Sequence, residues 1–125
     1  MEALLKKLKF KGNGVVVNAP DQMKEKFEQN GFSTILANEG NANVLVFVMD
    51  KQECLGFLQT CLKALIYDTP FWIAYPKQSS KVKSDINRDS LWELAQAFGI
   101  ETVTAISIDE TWSALRFRPF DRVGR

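Results

Sequence analysis

Apolar residues along this chain fall into two alternating kinds of stretch. Short unbroken runs, Val15-Val16-Val17, Val44-Leu45-Val46-Phe47-Val48 and Phe71-Trp72-Ile73-Ala74, are separated by longer segments in which apolar positions recur every three or four residues. An unbroken β-branched run is the mark of a strand buried on both faces, as in a parallel sheet. The three-to-four spacing is that of a helix with one apolar face.

Read in order, Leu4, Leu5 and Leu8 share one helical face and predict a short helix over 2–8. Lys11-Gly12-Asn13-Gly14 is a turn into the strand at 15–17. Asn18-Ala19-Pro20-Asp21 then opens a helix, with Pro20 in its first turn, Met23 and Phe27 facing inward and Asn30-Gly31 as its stop. Phe32 to Leu36 is expected as a second strand and Asn38 to Asn43 as a polar loop. After the strand at 44–48, apolar positions from Cys54 to Leu65 trace a helix from about 52 to 66. The strand at 71–74 leads through Tyr75-Pro76-Lys77 into a polar loop ending near Ser84. A helix follows to Phe98 and stops at Gly99. Two strands close the fold, Thr102 to Ile108 and Thr111 to Phe117, joined at Asp109-Glu110 as an antiparallel hairpin.

Strands alternating with helices predict right-handed crossovers and a sheet covered on both faces. The expected fold class is therefore α/β: a three-layer Rossmann-like sandwich with a mostly parallel sheet of six strands. At 125 residues the chain is the length of one domain, assigned to residues 1–119, with 120–125 as a tail that is partly loose.

Composition narrows the chemistry. A net charge of +1 argues against wholesale binding to nucleic acid or to a membrane surface. No apolar run is long enough to span a bilayer, and Met1 to Lys7 lacks the features of a signal peptide, so the cytoplasm is the expected location. Histidine is absent, which removes Ser-His and Cys-His nucleophile pairs and the common zinc sites. No metal and no cofactor is implied. Cys54 and Cys61 lie seven positions apart on one predicted helix, roughly 10 Å by helical rise and beyond the ~7 Å reach of a disulfide; they are expected as reduced core thiols.

Several segments of the second half form a distinctive set: Trp72-Ile73-Ala74-Tyr75-Pro76-Lys77, Ser79-Ser80-Lys81, Asp85-Ile86-Asn87-Arg88-Asp89 and Trp112-Ser113-Ala114-Leu115-Arg116-Phe117. They resemble a family of short bacterial proteins of unknown function that share this signature over about residues 10–119. That resemblance implies a fold and no activity. A looser resemblance is to the Rossmann-like methyltransferases, whose parallel sheet also ends in an antiparallel hairpin. It implies a strand order of 2-1-3-4-6-5, with one strand-helix unit missing from a chain too short for the full set. Such enzymes bring backbone close to their cofactor with a glycine-rich turn after the first strand. Here that strand runs into Asn18-Ala19-Pro20-Asp21, and the only acid near the end of the second strand is Glu39. Binding of S-adenosylmethionine is not expected.

The best candidate site is the loop from Lys77 to Arg88. Lys77, Lys81, Lys83 and Arg88 stand there against the single acid Asp85, among Ser79, Ser80, Ser84 and Asn87. It follows the carboxyl end of a parallel strand, where open α/β sheets bind ligands. It also precedes a helix start, whose free N–H groups favour anions. A phosphate- or carboxylate-bearing small molecule would suit it. The structural alternative is a solvated loop, with Ser84 or Asp85 capping the helix and Arg88 paired to an acid.

Asp50 ends the strongest strand and reads either as a general base or as the cap of the next helix. Asn18 and Asp21 carry the same ambiguity at the first strand. In the final hairpin, alternation places Trp112, Ala114 and Arg116 on one face. They would offer a stacking surface for an aromatic or nucleic-acid ligand, or else pack Trp112 in the core with Arg116 in an ion pair. Arg116, Arg118, Arg122 and Arg125 make this segment basic, so one patch would form if it meets the Lys77–Arg88 loop in space. The functional expectation is a non-enzymatic small-ligand or protein-interaction module. The alternatives are a divergent methyltransferase-like enzyme and a nucleic-acid-associated protein.

Overall fold

A computed structural model describes residues 1–123; Gly124 and Arg125, part of the expected loose tail, lie outside the described residues. The elements are α1 (Glu2–Leu8), β1 (Val15–Val17), α2 (Asp21–Gln29), β2 (Val44–Phe47), α3 (Lys51–Cys61), β3 (Phe71–Pro76), α4 (Arg88–Gln96), β4 (Ile100–Ser107) and β5 (Trp112–Pro119). Short 3-10 turns follow α3 at Leu62–Ala64 and β5 at Phe120–Arg122.

The sheet has five strands in the order β1-β2-β3-β5-β4. The first three pair in parallel. β5 is antiparallel to both β3 and β4, so β4 points the same way as β1 to β3. The apolar runs at 44–47 and 71–76 become central strands because every side chain in them has a dry face to meet, whereas the shorter run at 15–17 forms the edge strand β1. Val44, Val46, Phe71, Ile73, Leu115 and Phe117 pack with Phe57 and Leu58 of α3 and Leu91 of α4. Leu45, Phe47, Trp72, Ala74 and Trp112 point the opposite way and pack with Leu8 of α1 and Phe27 of α2. Full burial of one such side chain stabilises by about 1.5–3 kcal/mol. Trp72, fully buried, also satisfies its indole by donating to the Leu8 carbonyl at 2.9 Å.

The expected six strands are corrected to five. Residues 32–36 do not form a strand: a single parallel bridge joins Ser33 to Val15. Ser33 itself turns the chain away from the sheet. Its hydroxyl donates to the Ile35 carbonyl at 2.9 Å and accepts from the Ile35 N–H at 3.1 Å, the local competition that short polar side chains exert on a ladder. Asn41 then closes the loop on Ala37 through both ends of its amide. With that strand removed, the order expected from sequence is the order observed.

Two helix boundaries also move. The helix expected to 66 ends at Cys61 before the 3-10 turn. The helix expected soon after Ser84 begins at Arg88, because Asn87 and Ser90 form a reciprocal capping box (Ser90 N–H to Asn87 Oδ1 2.9 Å, Asn87 N–H to Ser90 Oγ 2.8 Å). Neither Ser84 nor Asp85 caps α4.

The amino-terminal end of the sheet is tied by Asn43, Thr69 and Asn41, the three buried polar residues among those described. The Asn43 side chain bonds Lys11 N–H, Lys11 C=O and Asn13 C=O, and its own N–H donates to Thr69 Oγ at 2.8 Å. Gly14 fits against this knot because a Cβ there would sit 2.0 Å from the Asn43 carbonyl oxygen.

Candidate functional site

The parallel strands deliver Asn18, Asp50 and Lys77 to one edge of the sheet, the carboxyl rim, and the β4–β5 hairpin turn meets them there. Lys77 is clamped to that turn. Its N–H donates to the Thr111 carbonyl at 2.7 Å and its Nζ to Ser107 Oγ at 2.6 Å. Ser80 turns the chain back by donating N–H and hydroxyl to the Lys77 carbonyl. Ile86, buried in the α3–α4 core, anchors the far end of the loop. Between these anchors Lys81 and Lys83 are exposed.

Two cavities flank the loop. One, of about 520 Å³, is lined by Tyr75, Lys77, Gln78, Ser79, Asn87, Arg88, Asp89 and Ser113. The other, of about 460 Å³, takes Ser80, Lys81, Lys83 and Ser84, and shares Lys77 with the first. The candidate residues therefore divide: Lys77, Ser79, Asn87 and Arg88 converge at the start of α4, whereas Ser80, Lys81 and Lys83 face elsewhere. Arg88 makes no ion pair among the described residues, where the one salt bridge joins Arg118 to Asp68. Tyr75, the floor of the first cavity, has its phenol pushed up from its ordinary range by burial, with the Arg88 charge opposing.

Tyr75 and Ser113 were not among the sequence candidates. Two residues before Lys77, Tyr75 shares its strand face, and it pairs across the ladder with Ser113. Only the β3–β5 register brings that serine in.

The other candidates resolve as follows. Asp50 is the cap of α3, its Oδ1 accepting from the Glu53 N–H at 2.8 Å. Asp85 caps the same helix start by accepting from the Lys51 N–H at 2.9 Å, while the Ser84 hydroxyl donates to the Met49 carbonyl. That helix start is thus filled by the chain's own carboxylates. Trp112 is buried edge-on against Phe47, with ring centroids 5.0 Å apart, and offers no stacking surface. Among the described residues Arg116 is not in the expected ion pair: Arg118 holds Asp68 at 2.9 and 2.7 Å, and the buried Arg116 Nε finds no partner there. Burial, with Arg118 beside it, lowers the Arg116 guanidinium. Cys54 and Cys61 are free thiols on α3, and burial pushes Cys54 up to about 12.

The second basic segment touches the loop only at its start, through Thr111 and Ser113; Arg118 and Arg122 lie at the other rim. β5 starts at the carboxyl rim and ends at the amino rim, so six residues at ~3.3 Å each, about 20 Å, separate Trp112 from Arg118. Arg118 bonds Asp68, just before β3, and Arg122 lies over the Tyr67 ring, 5.8 Å from its centroid.

Known structures share this architecture. The likeness is to methyltransferases. A SAM-dependent methyltransferase from Aquifex aeolicus superposes with a TM-score of 0.59 at 12% identity, over 93% of this chain and 87% of that one. A protein from Sulfolobus solfataricus described as a type 11 methyltransferase gives 0.61 at 9% identity, over 99% and 94%. No protein-family profile matches the chain, and no curated protein does. At these identities the likeness is one of fold. The chain spans most of the length of both neighbours, with five strands in its sheet.

The residues here do not fit the cofactor that such a fold suggests. Asn18 follows β1 at φ 59, a left-handed conformation that asparagine tolerates better than most residues. That reproduces a glycine's backbone shape and keeps a side chain. Glu39 sits in the loop that Asn41 ties to Ala64 and Ile66, at the amino rim, because the segment that would carry an acid upward makes only the single bridge at Ser33. The glycine-and-acid cradle is not assembled, and no methyl-transfer step is derived. Among the described residues there is no group of three metal-ligating side chains, and no helix is long and apolar enough to cross a membrane.

Proposed function

We propose that this chain is a small-ligand-binding module of three-layer Rossmann-like build that holds a phosphate or carboxylate group at the carboxyl rim, without chemistry of its own. The observation that carries the reading is the convergence of Lys77, Ser79, Asn87 and Arg88 on one cavity at the end of a parallel strand and the start of α4. Carboxyl ends of parallel strands are where such sheets bind ligands. A helix start adds unpaired N–H groups and a positive partial charge. Arg88 supplies a planar, bidentate donor for an anion. Lys77, held by Ser107, contributes a fixed charge, and the Tyr75 ring offers an apolar floor for the rest of the molecule. The proposed setting is the cytoplasm, within the short bacterial family whose signature the chain resembles.

Thermal unfolding in rising inorganic phosphate, sulfate and nucleoside phosphates tests this. Binding to the folded state alone raises Tm with ligand concentration, and Arg88→Ala abolishes the rise. A flat Tm through millimolar ligand rejects the site.

A second reading, a divergent methyltransferase-like enzyme, is favoured by the fold likeness. Calorimetric heat on adding S-adenosylmethionine, retained in Arg88→Ala, supports it over the first. The nucleic-acid reading predicts retention on a phosphate column that is lost at moderate salt. The placement of Arg118 and Arg122 beside Asp68 and Tyr67, at the rim opposite the Lys77–Arg88 loop, weighs against it.

A further inference from the structure

We propose that the amino rim carries a second binding site, for an amphipathic anion such as a medium-chain carboxylate. A cavity of about 360 Å³ opens there between the end of α3 and the α4–β4 junction, within the range of small-molecule pockets. Phe71 and Phe117, with centroids 6.3 Å apart, form its apolar floor. Leu65, Ile66 and Tyr67 line it as well, and Ile66 leaves 49% of its surface in water.

Its wall is held rather than soft. Asp68 takes φ 59 while both its carboxylate oxygens are bonded by Arg118. Thr69 is fixed to Asn43, and the Tyr67 phenol donates to Asp121. Two charged residues line the cavity, Lys63 and Asp68. Arg118 neutralises Asp68, whereas Lys63 pairs with no carboxylate among the described residues. An apolar cavity whose one uncompensated charge is a lysine selects an apolar body with a single negative end.

Isothermal titration with sodium octanoate, with octylamine as the cationic counterpart, tests this. In Arg88→Ala, which lacks the carboxyl-rim site, saturable one-site binding of octanoate and much weaker binding of octylamine are expected. Lys63→Glu lies on the surface and leaves the fold intact. It lowers octanoate affinity about tenfold or more, as loss of a charged hydrogen bond does. Ile66→Asp does the same by placing a carboxylate at the cavity. Millimolar phosphate does not displace octanoate, which separates this site from the one at Lys77–Arg88. The proposal is overturned by unsaturable heats, by unchanged affinity in Lys63→Glu, or by displacement with phosphate. A dimer by sedimentation that Ile66→Asp dissociates also overturns it, because a second copy then covers the cavity.

Discussion

The two ends of the sheet use polar residues in opposite ways. At the amino rim, Asn41, Asn43 and Thr69 are buried and bonded to backbone, and Asp68 is locked to Arg118. At the carboxyl rim, Ser79, Lys81, Lys83, Arg88 and Asp89 are exposed, and Arg88 and Asp89 make no ion pair among the described residues. Polar groups at the first end hold the loops that start each parallel strand. At the second end, Asp50, Lys77, Ser80, Ser84, Asp85 and Asn87 bond within the fold, whereas the side chains of Ser79, Lys81, Lys83, Arg88 and Asp89 are left unengaged among the described residues. A region that stability does not require, placed where this class of sheet binds ligands, is the better place to look for function.

Substitutions can sharpen that contrast. The largest effect is expected at Asn43→Ala, which removes three side-chain bonds and puts alanine at φ 55; about 2–4 kcal/mol of stability is lost, read from urea unfolding. Asn87→Ala removes one helix cap at the other rim and costs about 1 kcal/mol by the same measurement.

Asp68→Asn acts through pH. The bond from Arg118 holds the Asp68 carboxyl below its usual value, with burial opposing. A depressed pKa stabilises the fold at pH above the unfolded value, about 3.9. That contribution is lost as pH falls through the folded value. Tm of the wild type should therefore fall more steeply below about pH 4 than that of Asp68→Asn. The smallest change in stability, within about 0.5 kcal/mol, is expected from Arg88→Ala, although this variant loses phosphate-induced stabilisation. A large loss there would show Arg88 to be structural and would erase the contrast.

The parts legible in the sequence were those fixed by local pattern. The runs at 15–17, 44–48 and 71–74 announced buried parallel strands because both faces of each are apolar. The hairpin followed from alternation around Asp109-Glu110, where Asp109 Oδ1 accepts the N–H groups of Thr111 and Trp112. Asp50 lay beside the helix it caps. What escaped notice depended on distant partners. Ser84 and Asp85 looked like caps of α4, yet their partners Met49 and Lys51 lie more than thirty residues away. Phe32 to Leu36 had strand composition, and the bonds of the Ser33 hydroxyl to the Ile35 backbone prevailed over it. Within the site, Lys77, Ser79, Asn87 and Arg88 were visible as a basic loop. Its division between two cavities, and the entry of Tyr75 and Ser113, required the β3–β5 register.

The central claim, that inorganic phosphate binds the carboxyl rim and not the arginine segment Arg116–Arg122, is most directly tested by amide chemical-shift mapping during titration with phosphate. The account predicts saturable shifts at Lys77 to Ser79 and Asn87 to Asp89, with Arg116 to Arg122 unmoved. Shifts confined to the arginine segment, or none at either rim, would contradict it.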